Sequence, residues 1–434
     1  MFIGKLSRQL TTTQLPNGLT ILLKEIHTVP LISHWVWYRV GSRYESAGQT
    51  GISHFVEHIQ FKGTSRFPIK ILDHAISRDG GVWNALTHLD WTAYFETMPA
   101  NKIDLALELE ADRMVNSRFD QPDIESERGV IMAEREGHEN EPQYQLNEAV
   151  LNAAFEQHPY KHEVIGEMED IKRISRDELF THYRRYYHPG NAVIAVAGDF
   201  QTSEMVNHLT QLYGELTTPE MDQVVILPEA SIGSERDVLV QGSGETTYMQ
   251  VAYRAPAGRE RDFFILNLLD SLLTGPSSLN MFGGGGVGNK TSRLYQSLVE
   301  KDLAISVGGG LQATMDPFLF EISITLHPEH TTAEVVNAID AEISRLQDHL
   351  VQEQEIQRAL KQAKAMFAYS SENITNQAFW MGYTAMFAEY QWFENYIANL
   401  ESISVQDIQN VARKYLNPEN RVVGVFKPNH AGRT

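Results

Sequence analysis

The sequence predicts an α+β protein with two homologous domains related by internal duplication. The chain has 434 residues, which is too long for a single ordinary hydrophobic core. Strand-like segments alternate irregularly with long amphipathic helices, without the regular βαβ order of a doubly wound sheet. A segment of the first half also recurs in the second half, which is the strongest sign of duplication.

The repeated segment reads ISRDELFTHYRRYYHPGNAVIAV from Ile174 and ISVQDIQNVARKYLNPENRVVGV from Ile403. The copies lie 229 residues apart, and eight of 23 positions are identical. Each copy predicts a helix, a Pro-x-Asn turn and a β-branched strand. The starts of the halves agree more weakly, since HWVWYRVGSR around Tyr38 resembles MQVAYRAPAG around Tyr253.

The boundary between the halves is predicted where LTTPEMDQVVILPEASIGSE loses its helical period and collects Pro, Ser and Gly. We therefore predict a first domain over 1–220, a linker over 221–234 and a second domain over 235–434.

Composition excludes several classes of function. The net charge of −20 argues against binding to nucleic acid or anionic lipid. The absence of cysteine excludes disulfides, thiolate catalysis and cysteine-ligated zinc. No run approaches the roughly 18 apolar residues of a membrane span, and the start lacks a secretory signal. We expect a soluble protein, either cytoplasmic or, if a signal was removed, periplasmic.

The stretch GISHFVEHIQFKGTS, which begins at Gly51, predicts a helix with four apolar residues on one side. His54, Glu57 and His58 lie on the opposite side. Imidazoles four residues apart can share one metal ion, and H-x-x-E-H is a zinc-peptidase signature, the inverse of H-E-x-x-H. The alternative interpretation is a solvated polar face, so the site requires a third ligand.

Candidates for the third ligand lie in the acidic helical segment IESERGVIMAEREGHENE. Glu127 and Glu134 are seven residues apart and share a helix face. Composition does not choose between them, and it leaves Glu125, Glu136 and His138 as further candidates.

Several motifs in order resemble the inverzincin peptidases of the pitrilysin, insulysin and mitochondrial-processing-peptidase family, in its short branch with two homologous halves. They are GISHFVEHIQFKGTSRFP, GGVWNALTHLDWTAYFETMP, ERGVIMAERE and HPYKHEVIGEMEDIKRIS. The resemblance covers nearly the whole chain. It implies two homologous α/β-sandwich domains of the processing-peptidase type and a zinc-dependent endopeptidase that cuts unfolded peptides.

The resemblance also implies a ligand set for one zinc ion per chain. With 75 residues between them, His58 and Glu134 have the spacing of the family's second and third ligands. Zinc would then bind His54, His58 and Glu134, while Glu127 matches an acid that supports the site without binding the metal.

Three further residues receive roles from the same resemblance. Glu57 is expected to act as the general base that takes a proton from water and passes it to the leaving amine. Asn84 and Ala85 are expected on an edge strand that pairs with extended substrate backbone.

The chain departs from the family in the second half. The family commonly reads Leu-Arg-Glu-Lys-Gly-Leu-Ala-Tyr-Ser, and its Arg and Tyr help hold substrate over zinc. Here Val299 and Ile305 stand at those two positions. We therefore expect a heterodimer in which a homologous subunit without the zinc motif supplies Arg and Tyr. The alternative is a non-catalytic structural subunit, as some relatives are.

A glycine-rich stretch, TGPSSLNMFGGGGVGNKTSRLY, lies just before those positions. It is not a phosphate-binding loop, because Asn289 separates Gly288 from Lys290. It resembles the glycine-rich loop of some family members, which is thought to touch substrate, and a plain connection is the alternative.

Overall fold

The computed structural model describes residues 10–220, 224–276 and 288–429, and these residues form two compact units. Unit 1 contains the described residues up to Arg135, with Glu163–Ile226 and Ser371–Tyr390. Unit 2 contains Glu136–His162, Leu227–Ser370 and the described residues from Gln391 onwards. Most of the predicted glycine-rich stretch, residues 277–287, lies outside the described residues.

The strands divide between two sheets, one in each unit. In chain order they are β1 Thr11–Gln14, β2 Thr20–Glu25, β3 Leu31–Tyr38, β4 Val82–Thr87, β5 Thr92–Pro99, β6 Ala192–Gly198, β7 Arg236–Gly242, β8 Tyr248–Arg254, β9 Ala304–Leu311, β10 Leu319–Leu326 and β11 Arg421–Pro428.

The described residues also form fifteen α-helices. In chain order they are α1 Ile52–Gln60, α2 Ile69–Arg78, α3 Asp104–Asn116, α4 Gln121–Glu139, α5 Pro142–Ala154, α6 Met168–Arg173, α7 Arg176–Tyr186, α8 Thr202–Tyr213, α9 Arg261–Leu273, α10 Thr332–Asp348, α11 Glu353–Ser370, α12 Ile374–Phe387, α13 Gln391–Glu394, α14 Tyr396–Glu401 and α15 Val405–Tyr415. None of the helices within the described residues is long and apolar enough to cross a membrane.

Apart from the additional strand β1, the two sheets have the same strand order and the same strand orientations. The sheet of unit 1 runs β1-β2-β6-β3-β5-β4, and the sheet of unit 2 runs β7-β11-β8-β10-β9. When β1 is set aside, each sheet begins with one parallel pair, β2–β6 or β7–β11, and continues antiparallel. This α+β architecture agrees with the predicted fold class, and the matching order is what a duplication would produce.

The repeated segments adopt the same local structure. Ser175 and Ser404 each form a capping box at the start of their helix, α7 or α15, which satisfies backbone N–H groups there. After each helix, an asparagine at the Pro-x-Asn turn donates to two backbone carbonyls. Asn191 bonds Arg39 and Tyr186 in unit 1, and Asn420 makes the corresponding bonds in unit 2.

Two helices are exchanged relative to the predicted division into 1–220 and 235–434. Helix α12 belongs to unit 1 and packs on β3 and β6, whereas α5 belongs to unit 2 and packs on β11 and β8. Helix α12 is buried on almost all sides, so it needs a surrounding core, but its pattern does not specify which sheet. The units otherwise change at 226/227, inside the predicted linker.

Helix α12 packs closely against β3 at Gly382. We therefore predict that Gly382→Ala lowers the free energy of unfolding by about 3 kcal/mol, because the added methyl group displaces buried side chains. A Cβ at Gly382 would lie 1.9 Å from Nε1 of Trp37, which is fully buried. Chemical denaturation measures the loss. Gly129→Ala on α4 is the control, because a Cβ there meets nothing within 4 Å. Equal stability of the two variants would contradict this packing.

Candidate active site

Helix α1 begins at a glycine that no other residue could easily replace. Gly51 has φ +82°, and a Cβ there would lie 2.2 Å from the carbonyl oxygen of Ile165. The Glu45 carboxylate accepts hydrogen bonds from the backbone N–H groups of Gly51 and Ser53, at 2.7 and 2.9 Å. Glu45 therefore satisfies two backbone N–H groups at the start of the helix. Its negative charge also interacts favourably with the positive end of the helix dipole.

The predicted apolar face of α1 is buried in unit 1. Its members are Ile52, Phe55, Val56 and Ile59, each no more than 2% exposed. The opposite face, which carries His54 and His58, therefore points away from that core. The two histidines of the opposite face are partly exposed. The alternative of an isolated solvated face is disfavoured, because a third potential ligand lies beside them.

His54, His58 and Glu134 offer ligand atoms that all lie within 4.8 Å of one another. Oε2 of Glu134 lies 3.9 Å from Nε2 of His54 and 3.7 Å from Nε2 of His58. The imidazole rings have centroids 4.6 Å apart. Two imidazole nitrogens and one carboxylate oxygen form the donor set of many catalytic zinc sites, so these residues fit the ion that the sequence predicts.

Glu127 occupies the other side of the His58 ring. Its Oε2 lies 3.0 Å from Nδ1 of His58, and its Oε1 pairs with the Lys62 ammonium. The hydrogen bond with His58 lowers the pKa of Glu127. An ionised Glu127 accepts a hydrogen bond from the Nδ1–H group of His58. In that tautomer the unprotonated Nε2 of His58 is the nitrogen on the side of Glu134.

The remaining candidates for the third ligand do not join this cluster. Glu125 on α4 is exposed and pairs with Arg128. Glu136 and His138 belong to unit 2, where His138 stacks on Tyr144. Among the described residues, the only group of three potential ligands is the one that contains Glu134.

Glu57 lies between the two histidines in sequence and is only 8% exposed. Its Oε2 accepts a hydrogen bond of 2.6 Å from the hydroxyl of Thr87 on β4. Burial raises the pKa of Glu57, while the Thr87 bond and the charge of His58 oppose the rise. A carboxylate with a raised pKa is better suited to accept and return a proton near neutral pH.

The two predicted substrate-binding residues lie on β4, which is the terminal strand of its sheet. Strand β4 pairs with β5 on one side, and Asn84 is exposed whereas Ala85 is buried. A terminal strand can add an extended peptide through backbone hydrogen bonds. Among the described strands, β4 pairs with β5 alone, and the function of Asn84 and Ala85 stays a prediction.

An alignment of the two halves by Tyr38 and Tyr253 places Leu269, Leu272 and Leu273 opposite His54, Glu57 and His58, and leucine is not a metal ligand. Leu269, Leu272 and Leu273 of α9 are buried in unit 2. Ile305 is 56% exposed at the start of β9. The nearby Arg293 forms two hydrogen bonds with Glu355, at 3.1 and 3.0 Å, so its guanidinium is engaged within the unit.

Two residues of the site were not predicted from the sequence. Lys62 follows His58 by four residues, just beyond the end of α1, and this short spacing could have indicated a positive charge near that histidine. Thr87 lies thirty residues from Glu57 in sequence, on a strand. No local spacing indicates that contact, because strand pairing and helix packing create it.

The pairing of Glu127 with His58 predicts that Glu127→Gln lowers zinc affinity by about 10- to 100-fold. The amide is neutral, so it holds the His58 ring less firmly than the carboxylate does. Titration against a competing chelator measures the dissociation constant. Glu125→Gln on the same helix is the control and keeps wild-type affinity. Unchanged affinity in Glu127→Gln would contradict a supporting role.

The chain matches two family descriptions and several known proteins along most of its length. Residues 20–167 match the family described as insulinase, peptidase family M16, and residues 173–363 match the domain described as peptidase M16 inactive domain. The chain is 27% identical over 428 residues to the zinc protease PqqE of Helicobacter pylori, covering 95% of this chain and 92% of the relative.

Two further similarities extend over nearly the whole chain. A probable mitochondrial-processing peptidase subunit beta of Arabidopsis thaliana is 26% identical over 429 residues, covering 96% of this chain and 78% of the relative. The crystal structure of a protease from Helicobacter pylori has a TM-score of 0.89 at 25% identity, covering 97% of this chain and 99% of that one. Residues 20–167 and 173–363, the regions that match the two family descriptions, include helix α1 and most of the second half, and the chain therefore belongs to peptidase family M16.

Proposed function

We propose that this chain is the zinc-binding catalytic subunit of an endopeptidase that hydrolyses unfolded peptides. The observation that carries the proposal is the convergence of His54, His58 and Glu134 beside a buried Glu57. One zinc ion per chain would be held by those three side chains, with Glu127 supporting His58. When bound, zinc supplies Lewis-acid activation of water and of the scissile carbonyl.

The chain's own residues account for the proton transfers. Glu57 accepts the proton of the attacking water and returns it to the leaving amine. Strand β4, with Asn84 and Ala85, pairs with substrate backbone and holds the peptide extended. A peptide that pairs with β4 must be extended and must have free backbone N–H and C=O groups. Unfolded segments meet this condition, whereas the backbone groups of folded strands are already hydrogen-bonded to neighbouring strands.

The departures in the second half support a partner subunit. Val299 and Ile305 have no charge or hydroxyl with which to hold a peptide, at two positions where the family commonly has Arg and Tyr. A homologous chain without the zinc motif would supply both residues in a heterodimer. The Arabidopsis relative is itself named as a subunit, and the matching sheet orders support a duplicated ancestor for both halves.

The second candidate is a non-catalytic structural subunit. The match to a domain described as inactive favours it in part, but that match covers residues 173–363 and leaves out the zinc motif. His54, Glu57, His58 and Glu134 lie within the region matched to the insulinase description. A chain that retains the three clustered ligands and the buried Glu57 on the same helix as two of them is better explained as the catalytic member.

Cleavage of an unstructured peptide, followed by mass spectrometry, tests the proposal. We expect slow cleavage by the chain alone, much faster cleavage with its partner, and loss of both after chelation until zinc is restored. Full activity without the partner would contradict the heterodimer. No cleavage under any of these conditions, with zinc bound, would favour the structural subunit.

A further inference from the structure

The carboxylate of the proposed base is held by a hydroxyl from the edge strand. Thr87 is the last residue of β4, and its Oγ1 donates to Oε2 of Glu57 at 2.6 Å. Within the described part of the chain, Oε1 of Glu57 accepts no hydrogen bond from another side chain. The carboxylate is therefore fixed through one oxygen, and the other remains for proton transfer.

The neighbouring hydroxyl indicates which way the Thr87 proton points. Thr92 is opposite Thr87 in the strand register. Its Oγ1 donates to the carbonyl oxygen of Val40 at 2.9 Å, and it lies 3.4 Å from Oγ1 of Thr87. A hydroxyl has one proton, and a carbonyl can only accept, so the Thr92 proton is committed to Val40. The Thr87 proton is directed to Glu57, where it makes a short, charge-assisted bond.

The strand that carries Thr87 also carries the proposed substrate-pairing residues. Asn84 and Ala85 lie two or three residues before it on β4. A peptide added to this edge would take its position from the same backbone that positions Thr87. The same strand would therefore position both the substrate and, through the Thr87 hydroxyl, the carboxylate of Glu57.

We infer that Thr87 is a positioning residue that orients the Glu57 carboxylate for proton transfer through its hydroxyl. The inference rests on the proposed peptidase function. It differs from a packing role, because packing would depend on the size of the side chain, whereas orientation depends on the donor. It also differs from a role in metal binding, because Thr87 is not one of the three clustered residues that offer ligand atoms among the described residues.

Paired substitutions separate these roles. Thr87→Val removes the donor and keeps a branched side chain, Thr87→Ala removes both, and Thr87→Ser keeps the hydroxyl. We expect Thr87→Val and Thr87→Ala to lower kcat by about 10- to 100-fold, the effect of losing a hydrogen bond to a charged group. KM and zinc content stay at wild-type values, and Thr87→Ser recovers most of the kcat.

Thr97→Val is the matched control, because it removes a strand hydroxyl that bonds Ser33 and Thr375, and it keeps wild-type kcat. Assays use the chain with its partner, with Glu57→Gln in parallel. Wild-type kcat in Thr87→Ala would overturn the inference, as would equal loss in Thr87→Ser and Thr87→Val. If Glu57→Gln itself keeps wild-type kcat, Glu57 is not the base and the role inferred for Thr87 is overturned with it. If the wild-type chain with its partner and bound zinc cleaves no peptide, the proposed function fails instead.

Discussion

Glu57→Gln should retain zinc and lower kcat by about 10²- to 10⁴-fold, the contribution of a positioned general base. Gln has nearly the same shape as Glu and can still accept the Thr87 hydrogen bond, but it cannot take a proton. Because Glu57 is not among the three clustered ligands, the metal site keeps all its donors. Peptide cleavage by the chain with its partner and metal analysis of the same sample measure both effects.

The control for this substitution is Glu125→Gln, which removes the charge of an exposed glutamate paired with Arg128. This variant should cleave peptide at the wild-type rate. Loss of zinc from Glu57→Gln would identify Glu57 as a ligand and reject its role as base. Wild-type activity with zinc bound would show that another group transfers the proton.

His58→Ala should lose both zinc and peptidase activity. The substitution removes one of three proposed ligands and also the group that Glu127 orients. The loss of zinc affinity should exceed the roughly 10- to 100-fold that follows the loss of a supporting residue. Chelator competition measures the affinity, and cleavage assays at saturating zinc measure what activity remains.

His208→Ala is the matched control, because His208 is a partly exposed histidine on α8 whose Nδ1 lies 3.6 Å from Oδ1 of Asp104. This variant should bind zinc like the wild type. Retention of zinc by His58→Ala at wild-type affinity would place the metal elsewhere. Zinc loss with full cleavage would separate the metal site from the activity.

The local parts of the site were accessible from sequence because they follow helix periodicity. The apolar face of α1 directs His54, Glu57 and His58 to the other side, and this depends only on a period of 3.6 residues. The same period could not choose between Glu127 and Glu134, since both share one face of α4. In the structure, Glu127 faces Nδ1 of His58, whereas Glu134 faces Nε2 of the same ring.

The long-range parts were not accessible from sequence. Helix α12 is apolar almost all round, which predicts burial but not the sheet it joins. The close fit of Gly382 against Trp37 is visible only once that helix is placed on β3. The Thr87 contact with Glu57 has the same origin, because it depends on how a helix packs beside a strand.

The most direct test of the zinc assignment is a crystal structure of the zinc-loaded protein with anomalous diffraction recorded at the zinc edge. We predict one peak per chain, bound by Nε2 of His54, Nε2 of His58 and the Glu134 carboxylate, with Glu127 on Nδ1 of His58. A peak bound by Glu127 or Glu57 in place of Glu134, or a peak at another position, would contradict the account.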